Sequence, residues 1–79
     1  MRRCDLLKIL VENGCPLNHL NTASNIISRY SNNKPRRTSL EETLQHQDLH
    51  DLIKFGILQI DTNQYLVPTV QVKSQLNIK

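Results

Sequence analysis

The residues able to do chemistry in this chain are its cysteines, histidines, paired acids and clustered arginines, and their spacing decides which chemistry that is. Cys15-x3-His19 and His46-x3-His50 each set two metal-ligating side chains one turn apart if helical, a spacing that a zinc ion can use. Neither couple is completed by another. Cys4 and Cys15 are ten residues apart, unlike the close pairs of zinc fingers, and Pro16 spoils the helical register of the first couple. Core or surface roles are therefore expected for these side chains, with no metal and no cofactor. Catalysis would call for a nucleophile beside a base, paired carboxylates in apolar surroundings or a glycine-rich phosphate loop. There are only two glycines, both at expected helix ends, and Glu41-Glu42 is accounted for as charge at a helix start, so a chain that is not an enzyme is expected.

The arginines are more informative. Residues 29–37 hold four positive charges (Arg29, Lys34, Arg36 and Arg37) and no acid, whereas residues 41–51 hold four acids and no Lys or Arg. A basic segment of this kind can contact phosphates, each contact adding salt-dependent affinity without sequence information. Arg2 and Arg3 extend the patch if the first helix starts nearby. Stacking on single strands has little to work with, since Tyr30, Phe55 and Tyr65 are the only rings and the first two are expected in the core. Arg36-Arg37-Thr38-Ser39-Leu40 also matches the pattern preferred by basic-directed kinases, although such short matches are common by chance and a helix cap is the leading expectation for these hydroxyls.

Composition sets the limits within which these residues act. Seventy-nine residues make one compact domain, spanning 1–79, and a chain of that size buries only about 60% of the surface exposed when unfolded. With 38% hydrophobic residues, no Trp and one Phe, the core must be filled by Leu, Ile and Val. The longest apolar run, Ile9-Leu10-Val11, is far from a membrane span. Met1-Arg2-Arg3 begins as a signal peptide does, but Asp5, Lys8 and Glu12 interrupt the segment behind it, so export is not expected. Two cysteines do not form a disulfide framework, and a reducing, intracellular compartment, cytoplasmic or nuclear, is expected. The net charge of +3 favours anionic partners.

The elements that must position the basic residues follow from periodicity. Residues 4–13 repeat apolar side chains at three and four, with Cys4, Leu7, Leu10 and Val11 as the stripe and Leu6 and Ile9 broadening it, and Asn13-Gly14 followed by Pro16 stops the helix. A second helix over 19–31 places Leu20, Ala23, Ile26, Ile27 and Tyr30 on one side and Asn21, Thr22, Asn25 and Arg29 on the other, with Asn18 or Asn21 as cap. Residues 31–37 read as a mobile polar loop. A capping box follows in either of two registers, Thr38 with Glu41 or Ser39 with Glu42. Leu40 and Leu44 fall out of phase with Leu49, Leu52 and Ile53, so a break near His46-Gln47-Asp48 is expected, with Asp48 and Asp51 as a second cap, giving helices over about 39–46 and 48–55 or one kinked helix. Gly56 closes the helical part. Residues 57–61 and 65–72 then alternate around a turn at 61–64, a β-hairpin whose second strand Pro68 assigns to a sheet edge, and residues 73–79 read as a tail.

In this order, helices first and then Leu52-Ile53-Lys54-Phe55-Gly56-Ile57-Leu58 running into a hairpin that reads Tyr65-Leu66-Val67-Pro68, the chain resembles the winged-helix superfamily. Residues 6–18 are similar to that superfamily's first helix and the short strand after it. The resemblance implies an α+β domain of three to four short helices followed by a C-terminal β-hairpin wing. It further implies nucleic-acid binding, DNA first, in transcription regulation, through Arg2, Arg3, Arg29, Lys34, Arg36, Arg37 and the wing tip at Asn63. Two features depart from the usual pattern: the long loop at 31–37, and Asp48, His50, Asp51 and Lys54 on the helix before the wing. They suit the other use of this fold, a protein-interaction or dimerisation module docking through helix 48–55 or the exposed wing edge.

Overall fold

The computed structural model describes residues 2–78. Five helices and three short strands follow in the order α1 (Arg3–Glu12), a 3₁₀ turn (Leu17–His19), α2 (Leu20–Ser31), β1 (Arg36–Arg37), α3 (Leu40–Gln45), α4 (Gln47–Lys54), β2 (Leu58–Ile60), β3 (Tyr65–Pro68) and α5 (Val70–Leu76). The architecture is α+β, with an antiparallel sheet ordered β1-β3-β2. Arg36 lies opposite Leu66 and Arg37 opposite Tyr65, while Leu58, Gln59 and Ile60 face Pro68, Val67 and Leu66.

One device ends four of the helices, α5 included, where Asn77 takes φ +56° and the N–H groups of Asn77 and Ile78 bond back to the Ser74 and Lys73 carbonyls. After α1, Gly14 takes φ +72°, its N–H bonds to the Val11 carbonyl at 3.1 Å and the Cys15 N–H reaches back to Leu10 at 2.9 Å. After α4, Gly56 takes φ +79° with the same pair of bonds from Gly56 to Ile53 and from Ile57 to Leu52. A left-handed residue is what lets the chain turn back and satisfy the last carbonyls, and glycine adopts it without a Cβ clash. Asn33, at φ +61°, does the same after α2, with Asn33 bonding to Tyr30 and Lys34 to Arg29. The Gly14 and Gly56 stops match the expectation from sequence; the one at Asn33 was hidden inside the segment read as a loop.

The core joins α1, α2, α4 and the hairpin. Leu6, Leu10, Ala23, Ile27, Leu52, Ile57, Leu66 and Val72 are wholly buried, and the buried Leu49 and Leu58 join them. On α1 the expected stripe is shifted around the cylinder: Leu6, Ile9 and Leu10 face inward, whereas Cys4, Leu7 and Val11 are exposed. Two apolar faces compete on that helix, and the one including Ile9 is turned toward α2 and α5. Cys4, expected inside, is therefore outside. Neither Asn18 nor Asn21 caps α2; the chain enters it through the 3₁₀ turn, with His19 at the cap position and its side chain bonded to none of the helix's first N–H groups.

The break between α3 and α4 falls at His46, in extended backbone. Of the two capping registers, Ser39 is the cap, its Oγ accepting the Glu42 N–H at 3.1 Å. That register turns Thr43 into the core, where its hydroxyl donates to the Leu40 carbonyl at 2.6 Å, and leaves Leu40 and Leu44 facing solvent at 68% and 65% exposure. Asp48 is not the cap of α4, although its Oδ1 does accept the neighbouring Leu49 N–H.

Three expectations near the sheet are corrected. The segment 31–37 ends in a strand, so Arg36 and Arg37 are tied to β3 rather than carried on a loop. The strand holding Pro68 is central, not marginal; β1 reaches only Tyr65 and Leu66, so Pro68 lies beyond it and withholds no N–H that a partner needs. Residues 70–76 are helical rather than a continued strand and tail. Pro68 ends the strand, Thr69 donates its hydroxyl to the Gly56 carbonyl at 2.8 Å, and the four-residue spacing of Val72 and Leu76 lays α5 on the core. No helix among the described residues is long and apolar enough to cross a membrane.

This packing separates leucine-like residues that sequence alone treats as equivalent. Ile27→Ala should cost ~2–5 kcal/mol, the usual range for a cavity in a filled core. Leu44→Ala should change stability by less than about 0.5 kcal/mol, as an exposed substitution does. Urea denaturation measures both, and equal losses would contradict the assigned helix phases.

Candidate nucleic-acid interface

The basic residues are positioned by α2, by the turn after it and by β1. Along α2 the exposed Asn21, Asn25 and Arg29 recur every four residues and so line one face. Arg3, on α1, donates from its guanidinium to the Asn21 side-chain oxygen, which brings a second cation to the start of that line. At its far end the Arg29 Nε donates to the Lys34 carbonyl at 3.2 Å while the Lys34 N–H bonds to the Arg29 carbonyl at 2.9 Å. The reciprocal pair fixes the Arg29 guanidinium and the Lys34 backbone at the end of the helix.

Arg36 and Arg37 are neighbours in a strand, so their side chains leave opposite faces. Arg36 joins Asn25, Arg29 and Asp48 around a shallow hollow of ≈ 380 Å³ between α2, α4 and β1. Arg37 shares another of ≈ 490 Å³ with Thr62, Asn63 and Gln64 of the hairpin turn. That turn is rigid for its size: the Asp61 carboxylate accepts the N–H groups of Asn63 and Tyr65, both at 2.9 Å, and the Thr38 N–H donates to the Gln64 carbonyl at 2.8 Å. Of the seven residues expected from sequence, Arg3, Arg29, Lys34 and Arg36 thus gather along α2 and its end, while Arg37 and Asn63 gather at the turn. Arg2, just before α1, stands apart, with its Nε 3.2 Å from Asp5 of that helix.

The acids meet a different fate. Asp48 accepts from the Thr22 hydroxyl at 2.8 Å, and Asp51 accepts from His19 Nε2 at 2.9 Å, so both carboxylates of α4 lean onto α2 and the turn before it. Gln47 donates to the other oxygen of Asp51 at 2.7 Å. The His19 bond, with help from Gln47, holds the Asp51 carboxyl below its ordinary value. For Asp48 burial pushes upward, but the bonds from Thr22 and from the Leu49 N–H outweigh it and the net displacement is also downward. Glu42 is lowered by the Thr38 hydroxyl first and the Arg36 guanidinium, 3.2 Å away, second. The outward side of α4 is left with Gln47, His50 and Lys54.

The candidate metal couples are drawn into other contacts. His19 is engaged with Asp51, and Cys15 is buried, its thiol pushed up by that burial and then by Asp51. His46 is exposed at the helix break and His50 Nδ1 lies 3.8 Å from Asp51. Among the described residues no three His, Cys, Asp or Glu side chains come together as a metal site. The Asn21, Asn25 and Arg29 line was visible as the polar side of the second helix; the inward turn of Asp48 and Asp51 left no local signal, because their partners are 26 and 32 residues away. No family model, curated protein or solved structure matches the chain.

The inward carboxylates set the acid response. Asp48 and Asp51 bind protons more weakly folded than unfolded, so their contribution is complete above the ordinary carboxylate value of 3.8 and is lost as pH falls through the lowered folded values. Urea midpoints should therefore drop between about pH 5.5 and about pH 3. The doubly substituted Asp48→Asn, Asp51→Asn chain should show a flatter profile; parallel curves would refute the assignment.

Proposed function

We propose that the chain is a winged-helix domain that binds nucleic acid, duplex DNA in the first place, through phosphate contacts made by Arg3, Arg29, Lys34 and Arg37, with Asn63 at the wing. On this reading α2, α3 and α4 are the three helices of the fold, β1 is its short first strand, β2 and β3 form the wing, and α1 and α5 are additions at the two ends. The pattern lies later in the chain than residues 6–18, where sequence placed its beginning. The placement of β1 against the last strand and the direct run from α4 into the hairpin support it.

The observation that carries the proposal is an imbalance in how charge is neutralised. Two of the four acids in residues 41–51 are consumed inside the fold and a third, Glu42, pairs with Arg36. Among the described residues Arg29, Lys34 and Arg37 have no acid within ion-pair distance. A modest net charge of +3 is thereby gathered at two accessible places, the end of α2 and the wing turn. Arginines so placed release counterions when they meet a phosphate backbone, which supplies affinity independent of base sequence. The role proposed is binding, not catalysis, inside the cell.

One observation favours a second reading, a protein-interaction or dimerisation module. Leu40 and Leu44 of α3 stand exposed one turn apart, as do Leu7 and Val11 of α1, and exposed apolar pairs of this kind serve contacts between proteins. With Asp48 and Asp51 turned inward, such docking would rest on these leucines more than on the acidity of α4.

Fluorescence anisotropy with a labelled duplex separates the two. Affinity should fall linearly in log-log form as salt rises, with a slope of about 0.9 per phosphate neutralised. Replacing Arg29 and Arg37 by Glu should flatten that slope by about 2. Absence of binding at low salt, together with self-association that Leu44→Glu abolishes in sedimentation, would favour the second reading.

A further inference from the structure

We propose that Ser39 is a phosphorylation site for a basic-directed serine/threonine kinase, recognised in the folded chain through the edge strand at residues 36–37 and the exposed Ser39 and Leu40. A kinase needs its substrate segment extended and reachable, with the acceptor hydroxyl outward and the specificity side chains free of the core. Arg36 and Arg37, three and two residues before Ser39, form an edge strand bonded to β3 on one side only. Ser39 continues in extended backbone, φ −105° and ψ 161°, and is exposed. Leu40, the apolar residue immediately after it, is 68% exposed. The neighbouring Thr38 is only 3% exposed, so the fold offers one of the two adjacent hydroxyls and withholds the other.

The Ser39 oxygen accepts the Glu42 N–H, yet its own proton goes to no acceptor among the described residues. In the transfer, the Ser39 Oγ forms the new bond to the γ-phosphorus of ATP, the bond from that phosphorus to the ADP oxygen breaks, the hydroxyl proton passes to the kinase's base and ADP departs. Capping therefore does not block the reaction. The only ion pair in the way, Arg36 with Glu42, is more than a third exposed on both sides and is exchanged at little cost.

The modified residue would carry a charge of about −1.5 to −2. It would stand beside Arg36 and Arg37, and it would compete with a nucleic-acid backbone for Arg37. This consequence, unlike the modification itself, rests on the interface proposed above.

The native full chain is incubated with ATP and the catalytic subunit of a cyclic-nucleotide-dependent, basic-directed kinase, then read by intact mass and fragment mapping. One phosphoryl group per chain is expected, on Ser39. It should be absent from Ser39→Asn, which retains a capping side chain, and present in Thr38→Val. Replacing Arg36 and Arg37 by Gln should lower kcat/KM by about tenfold or more, since two charge-assisted contacts to the kinase are lost. No incorporation, incorporation only after denaturation, or label that persists in Ser39→Asn would overturn the proposal. In a separate arm the phosphorylated chain should bind duplex about tenfold more weakly than the unmodified chain. If the unmodified chain binds no duplex, the interface fails while the mass result still decides the modification.

Discussion

Two hydrogen bonds between distant parts of the chain, His19 to Asp51 and Thr22 to Asp48, organise both the packing and the surface charge of this protein. They close the N-terminal part of α2 onto α4. The apolar side of α4, Leu49 and Leu52, is then held against Ile26 and Ile27 of α2, and α4 hands the chain directly to the hairpin through Gly56. A half-buried carboxylate is tolerable only where its oxygens are bonded, and here each acid has a donor across the contact as well as one on its own helix. In drawing the acids inward, the same bonds remove negative charge from the outward side of α4.

The rest of the charge pattern follows from how the segments on either side end. Asn33 terminates α2 in a left-handed turn that brings Lys34 back onto Arg29, and the chain then has just enough length to reach β3 as the two-residue strand β1. Because a strand alternates its side chains, Arg36 and Arg37 serve different hollows, one beside α2 and one beside the wing turn. A loop would have left the backbone of these arginines free; the short strand fixes the two points from which their side chains leave. Preorganisation of this kind lowers the ordering cost of binding.

Much of the fold was legible in the residues. Gly14 and Gly56 marked two helix ends, the phase slip between Leu44 and Leu49 marked the break at His46, and the change to alternation after Ile57 marked the hairpin. What could not be read was decided by tertiary partners. The α1 sequence carries two apolar faces, and only the presence of α2 and α5 selects Leu6, Ile9 and Leu10 over Cys4, Leu7 and Val11. Val70-Gln71-Val72 has strand-like composition, but Pro68 ends the ladder and burial of Val72 with Leu76 rewards a helix. For the site, the clustering of Arg29, Lys34, Arg36 and Arg37 was plain in sequence, as was the polar line from Asn21. Their division between two hollows, and the withdrawal of Asp48 and Asp51, depended on pairings no local pattern encodes.

The central claim is that an array of uncompensated cations at the end of α2 and beside the wing turn forms the working surface of this molecule. Its most direct test is a two-dimensional amide NMR titration of the labelled chain with a short mixed-sequence duplex at low salt. The account predicts that shifts concentrate at Arg29, Lys34, Arg37 and Asn63 and reverse on adding salt. Shifts confined to Leu40, Leu44 and the exposed side of α1, or none at all, would contradict it.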